Sequence, residues 1–180
     1  MSEHIEFDPV DRITVGAVGD PGERVFMLQA SRGPDLRTWV LEKEHVMALG
    51  GGSYALLAQL GEQEMTREIL GKSSAAFSEA MDLQPDDVAF RIDPGTMALG
   101  YDDTKDMILI SFAELSEEEA AEKSTARLWV SRRQLAALGV HGMAVVAAGR
   151  PVCPLCGQIL EGDHKCPPHV FNGHSKKTEP

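Results

Sequence analysis

The sequence predicts an α+β protein: a duplicated unit of antiparallel strands followed by a helix, with a small zinc-ribbon-like knuckle at the C-terminal end. Two observations predict the duplication. The segment RTWVLE (37–42) returns as RLWVSR (127–132), and EHVMALGGGSYALLA (44–58) then aligns without gaps with RQLAALGVHGMAVVA (133–147). A third observation predicts the knuckle, because all three cysteines of the chain lie close together after the second copy.

The strands are indicated by β-branched and apolar residues between turn-forming segments. In the first half, RITVGAVG (12–19) and VFMLQAS (25–31) enclose GDPGE, whose glycines and proline are typical of a turn. LRTWVLE (36–42) then alternates in side-chain direction up to the predicted helix. Weaker matches between the halves continue upstream of the tryptophans. Each half is therefore predicted to hold several antiparallel strands closed by a helix.

The two closing helices have recognisable starts. The first is predicted to begin near Lys43 and the second near Ser131, where the serine is a suitable N-cap. The glycines 50–52 are expected to weaken the first helix, and a break in the helix at these residues is one of the expected results. Gly139 and Gly142 fall near the corresponding places in the second helix, which indicates a shared bend or a close helix–sheet contact.

The domain organisation follows from these elements. A duplicated domain spans 1–150, with half-repeats at about 4–60 and 88–149; a helical linker spans 62–87, the knuckle 151–174 and a disordered tail 175–180. The acidic run 114–122 is expected to be a solvated loop or small helix.

Gly16, Gly19 and Gly22 are attributed to turns. A phosphate-binding loop would be followed by a Lys-Ser/Thr pair and a helix, and neither follows these glycines. Arg24 is attributed a structural role in preference to anion binding.

Composition restricts the classes of function. The net charge is −11, from 28 acidic and 17 basic residues, and this disfavours binding to nucleic acid or to an anionic membrane. The N-terminal segment MSEHIEFDPVDR lacks the features of a secretory signal, and no apolar run is long enough to span a membrane. A cytoplasmic location is therefore expected, where clustered cysteines are more often metal ligands or catalytic groups than disulfides.

The cluster CPLCGQILEGDHKCPPH (153–169) has the composition of a zinc site. Cys153 and Cys156 are spaced to bind one ion from a tight turn, and Cys166 supplies a third thiolate. Either His164 or His169 can complete a tetrahedral set. Four protein ligands close the shell, so the zinc is predicted to be structural and not catalytic.

Other readings of the cluster fit less well. A thioredoxin-type redox pair normally opens a helix after a strand, and neither Gly157 nor the nearby Cys166 suits that arrangement. A cytidine-deaminase-like site needs an H-x-E motif, and the one example in the chain, His4-Ile5-Glu6, lies near the opposite end.

The segments DPGERVFMLQA, WVLEKE and CPLCGQILEGDHKCP followed by NGH resemble an uncharacterised actinobacterial family with a domain of unknown function. The family pattern, C-P-x-C-G, then G-H-x-C-P, then N-G, implies Cys153, Cys156, His164 and Cys166 as zinc ligands. This chain departs from the pattern in having Asp163 before the histidine and two extra residues after Cys166, so His169 stays the alternative.

The resulting functional hypothesis is a zinc-binding protein that acts as a protein-interaction or adaptor module. No catalytic constellation is recognisable, which favours a binding module over an enzyme. One alternative is an enzyme or small-metabolite-binding protein that uses a cleft between the two halves. Another is a single-strand nucleic-acid binder, because the repeated strand–strand–strand–strand–helix order resembles, in architecture alone, the purine-rich-element-binding and Whirly folds. The acidic charge counts against the last of these.

Overall fold

Eight strands and three helices are formed in the part of the chain that the computed structural model describes, residues 2–71, 88–117 and 122–149. The α+β class predicted from the sequence is confirmed. In chain order the elements are β1 (His4–Phe7), β2 (Arg12–Val18), β3 (Val25–Arg32), β4 (Asp35–Leu41), α1 (Lys43–Gln59), α2 (Gln63–Gly71), β5 (Val88–Arg91), β6 (Ala98–Asp102), β7 (Met107–Ala113), β8 (Thr125–Val130) and α3 (Arg132–Ala147).

The strands form two four-stranded sheets of matching order, β2-β3-β4-β5 and β6-β7-β8-β1. Within each sheet the first three strands are consecutive and antiparallel. The fourth strand of each sheet comes from the other half of the chain and pairs in parallel: β1 with β8, and β5 with β4. The prediction of antiparallel strands within each half is therefore wrong for these two edge strands. Origin of the two halves by duplication stays a prediction.

The repeated tryptophans occupy matching positions in the two sheets. Trp39 lies on β4 opposite Leu28, and Trp129 lies on β8 opposite Leu109. Trp39 is fully buried and makes edge-to-face contacts with Phe90 of β5 and Phe112 of β7. Because these three rings come from both sheets, they join the two halves in one apolar core.

The helix starts agree with their predicted positions. The Ser131 hydroxyl accepts a hydrogen bond from the backbone N–H of Gln134 (3.1 Å), and the Gln134 side chain accepts one from the backbone N–H of Ser131 (2.9 Å). This reciprocal pair is a capping box. At the start of α1, His45 Nδ1 accepts a hydrogen bond from the backbone N–H of Glu42 (2.9 Å). Helix α1 is continuous through its glycines, so the break considered from the sequence does not occur.

The helix glycines permit close packing of α1 against α3. A Cβ placed on Gly139 would lie 2.9 Å from Cβ of Ser53. A Cβ on Gly142 would lie 3.1 Å from a methyl carbon of Val46 and 3.3 Å from one of Val15 in β2. The glycines therefore serve a helix–helix contact as well as the expected helix–sheet contact.

Parts of the predicted organisation lie outside the described residues. Helix α2 occupies the start of the predicted helical linker, and the remainder of the linker, 72–87, is outside. The same holds for residues 118–121 of the acidic run, for the knuckle and for the tail. None of the helices in the described part of the chain has the length and apolarity that a membrane span requires.

Candidate functional site

The predicted zinc ligands Cys153, Cys156, His164 and Cys166, and the alternative His169, all lie outside the described residues. Within residues 2–71, 88–117 and 122–149 there is no group of three or more His, Cys, Asp or Glu side chains arranged to hold a metal ion. The metal site therefore stays a prediction from the sequence.

The end of α3, from which the chain leads toward the cysteine cluster, is held by Arg24. Its guanidinium donates a hydrogen bond to the carbonyl of Ala148 (2.8 Å) and a longer one to the carbonyl of Val145 (3.4 Å). The last carbonyls of a helix lack intrahelical partners and carry partial negative charge, so a guanidinium stabilises them. The structural role expected for Arg24 is confirmed. The turn between β2 and β3 thus fixes the point at which the C-terminal segment begins.

A strongly apolar groove lies between the three helices. We call it the helix groove. Its volume is about 310 Å³ and its floor includes Ser53, Leu57 and Ala136, all of which are buried. The remaining lining residues come from all three helices: Gly50, Gly51 and Tyr54 of α1, Thr66 and Leu70 of α2, and Gly139, Val140 and Met143 of α3.

Large apolar side chains at this groove are exposed to solvent. Leu70 is 61% exposed, Tyr54 is 59% exposed and Met143 is 44% exposed. Met47, also exposed, lies four residues before Gly51 on the same side of α1. Single exposed apolar residues are ordinary, but a contiguous group around a concavity is typical of a surface that binds a partner or ligand.

A second concavity runs along the opposite side of α1, and we call it the α1 cleft. Its volume is about 400 Å³, and it lies between α1 and the segment that joins β5 to β6. Its walls are mostly apolar, with His45 and Gln59 as the polar side chains. The lining residues are His45, Ala48, Leu49, Gly52, Ala55, Leu56 and Gln59 of α1, together with Pro94, Met97 and Leu99.

A polar cluster around Arg132 holds α2 and α3 to the second sheet. The Arg132 guanidinium donates hydrogen bonds to Glu62 (2.7 Å), Asp106 (2.7 Å) and the Tyr101 hydroxyl (2.8 Å). The hydrogen bond from the Tyr101 hydroxyl, followed by that from Arg132, lowers the pKa of Asp106 below its usual value. Every member has a partner, so this cluster is explained by a structural role.

His141 of α3 is predicted to make stability depend on pH. Its ring bonds to the backbone carbonyl of Val15, its Nδ1 is buried without a partner among the described residues, and burial lowers its pKa below 6.5. Below about pH 6.5 the unfolded chain binds the proton more readily than the folded one, so the free energy of unfolding should decrease as pH falls. Denaturant titrations from pH 7.5 to 5.5 would measure this. A His141→Gln variant with the same slope would contradict it.

The comparison with known families decides where the chain belongs. The family model described as "Protein of unknown function (DUF3090)" matches residues 5–166 of the 180. The chain belongs to the DUF3090 family. No curated protein and no solved structure matches it. The membership agrees with the resemblance to an uncharacterised family noted from the sequence, and it assigns no activity to the DUF3090 chain.

The sequence analysis offers a cleft between the two halves as an alternative site, and both concavities lie between residues of the two halves, but it names none of their lining residues as a site. The sequence predicts a bend or a close contact at the helix glycines, and it does not predict that Gly50 and Gly139 line a groove. For His45, the sequence contains a signal for its capping role alone: it lies three residues after Glu42, which is the spacing of a capping box. This spacing predicts that Nδ1 accepts the backbone N–H of Glu42. It does not predict that the ring faces a cleft, because the other wall of the cleft comes from a distant part of the chain.

Proposed function

We propose that this DUF3090 protein is a zinc-binding interaction module. The C-terminal segment 151–174 holds one structural zinc ion, and the described domain presents the helix groove to a protein partner. The observation that carries the proposal is the ligand set itself: Cys153, Cys156 and Cys166 with His164. Three thiolates and one imidazole match the preference of Zn²⁺ for four sulfur and nitrogen ligands.

The extent of the family match supports His164 as the fourth ligand. The match ends at residue 166, so it includes the three cysteines and His164 but not His169. A site common to the family would be expected within the matched residues. A cytoplasmic, reducing location belongs to the same proposal, because thiolates remain available to a metal ion there.

The helix groove supports the interaction role. Protein interfaces have apolar, aromatic and methionine-rich centres, and the groove offers Tyr54, Leu70 and Met143 for such a contact.

Single-strand nucleic-acid binding receives less support. Tyr54 is the one strongly exposed aromatic residue among those described, whereas Trp39 and Trp129 are buried. Base stacking needs exposed rings on a basic surface, and the chain carries a net charge of −11.

Metal analysis of the purified full-length chain tests the zinc part. We expect one equivalent of zinc and thiols that react only after a chelator is added, because bound thiolates are shielded by the metal. A Cys153→Ser, Cys156→Ser variant should lose the metal. Less than about half an equivalent in the wild-type chain, with freely titratable thiols, would contradict the site.

Site-specific photo-crosslinking in the native cells tests the interaction part. A photoreactive side chain at Tyr54 should give a discrete crosslinked partner, and Leu70→Asp should abolish it, because a carboxylate in the groove must be desolvated on binding. The same probe at Asp103, an exposed residue on the β6–β7 turn, is the matched control and should give no such product. Equal crosslinking at both positions would refute a role for the groove.

A further inference from the structure

The α1 cleft has no lining residue in common with the helix groove. Its lining residues on α1 recur every three or four positions from His45 to Gln59, so they form one stripe along the helix. At 1.5 Å per residue the stripe is about 21 Å long. Small alanine and glycine residues along it leave an elongated apolar channel with a polar side chain at each end.

The imidazole of His45 provides a hydrogen-bond donor at one end of this channel. The residue is only 5% exposed, yet it lines the cleft. Its Nδ1 accepts from the backbone N–H of Glu42, so the proton of the neutral ring is on Nε2. Within the described part of the chain the ring bonds to Glu42 through Nδ1, and Nε2 is left accessible at the cleft. A donor that faces an apolar cleft from an otherwise buried side chain favours a ligand that supplies an acceptor.

The charges near the cleft favour an uncharged acceptor. None of the lining residues is a lysine or arginine. Asp93, whose carboxylate interacts electrostatically with His45, is paired with Lys123, and Arg91 is paired with Glu42. An anionic ligand would therefore lose hydration without gaining a counter-charge.

We propose that the α1 cleft binds an uncharged, elongated apolar molecule through a carbonyl-type oxygen that accepts the Nε2–H of His45. The volume of about 400 Å³ lies within the range of small-molecule sites. The apolar walls, formed by Leu49, Leu56, Met97 and Leu99 among others, contact the chain of the ligand.

The probe for this site is 2-nonanone, with nonanoate as the charged comparison of equal chain length. Titration of the full-length protein at pH 7.5, followed by NMR, should give saturable shifts at Ala48, Leu49 and Gly52 and at the His45 Nε2–H. Nonanoate should bind at least about tenfold more weakly, because its carboxylate must be desolvated. Absence of saturable 2-nonanone binding, or equal binding of nonanoate, would overturn the proposal.

Two variants connect the binding to the cleft. His45→Gln retains a capping residue at the same position but removes the imidazole donor, and should weaken 2-nonanone binding by about tenfold. Ala55→Phe places a ring in the channel at an exposed position, and should abolish binding even if His45→Gln folds poorly. Met47→Phe adds the same ring to α1 outside the cleft and should bind as the wild type does. Unchanged binding in both His45→Gln and Ala55→Phe would overturn the proposal.

Discussion

Phe7→Ala is expected to lower the free energy of unfolding by about 3–5 kcal/mol, although Phe7 lies near the N-terminus on a strand of four residues. The reason is the exchange of edge strands between the halves. Strand β1 pairs in parallel with β8, where Phe7 lies opposite Leu128, and Phe7 is buried in the common core. Loss of its ring therefore leaves a cavity in the core beneath the second sheet, and the effect is larger than fraying of a terminal strand would give. Denaturant unfolding of purified protein measures the change.

The matched control is His4→Ala on the same strand. His4 is exposed and bonds to the Thr125 hydroxyl at the surface, so the change should be about 0.5 kcal/mol or less. If Phe7→Ala cost as little as His4→Ala, β1 would contribute little to the core. The interlocked arrangement of the halves would then be wrong for the protein in solution.

Gly139→Ala is expected to destabilise the protein by about 1–3 kcal/mol, against the general rule that alanine favours a helix over glycine. The added methyl group would lie 2.9 Å from Cβ of Ser53, a short side chain whose hydroxyl donates to the carbonyl of Leu49 (2.6 Å). Neither group can move aside cheaply, so α1 and α3 must separate. Thermal or denaturant unfolding measures the effect.

Gly51→Ala is the matched control within α1. Nothing lies within 4 Å of a Cβ at that position, so alanine should stabilise the protein by about 0.5–1 kcal/mol through helix propensity alone. The two substitutions are chemically identical and should have opposite signs. Stabilisation by Gly139→Ala would show that the helices are further apart than in the structure described.

The parts of the fold that were predicted correctly depend on local chemistry. Ser131 and the repeated tryptophans fix where β8 ends and α3 begins, since a cap and an alternating strand can be recognised within a few residues. The exchange of edge strands could not be predicted in the same way. Strands β1 and β5 have four residues each, and their partners are set by contacts far away in the chain.

The candidate sites also differ in whether their residues are close together in the sequence or come from distant parts of the chain. The cysteine spacing predicts a zinc site because its ligands are adjacent in sequence. The α1 cleft requires Met97 and Leu99, from the second half of the chain, to lie against α1. The helix pattern predicts that a stripe including Leu49 and Leu56 is apolar. It does not predict that part of the stripe faces a cleft, because that depends on how closely a neighbouring segment packs.

The zinc ligand set is tested most directly by the metal affinity of two histidine variants of the full-length chain. Competition with a chelator should show that His169→Ala binds one zinc ion as tightly as the wild type does. His164→Ala should bind zinc at least about tenfold more weakly, because a thiolate–imidazole shell has lost its fourth protein ligand. The reverse order would assign the site to His169. Equal, weak zinc binding by the wild type and both variants would contradict a zinc centre formed by Cys153, Cys156, His164 and Cys166.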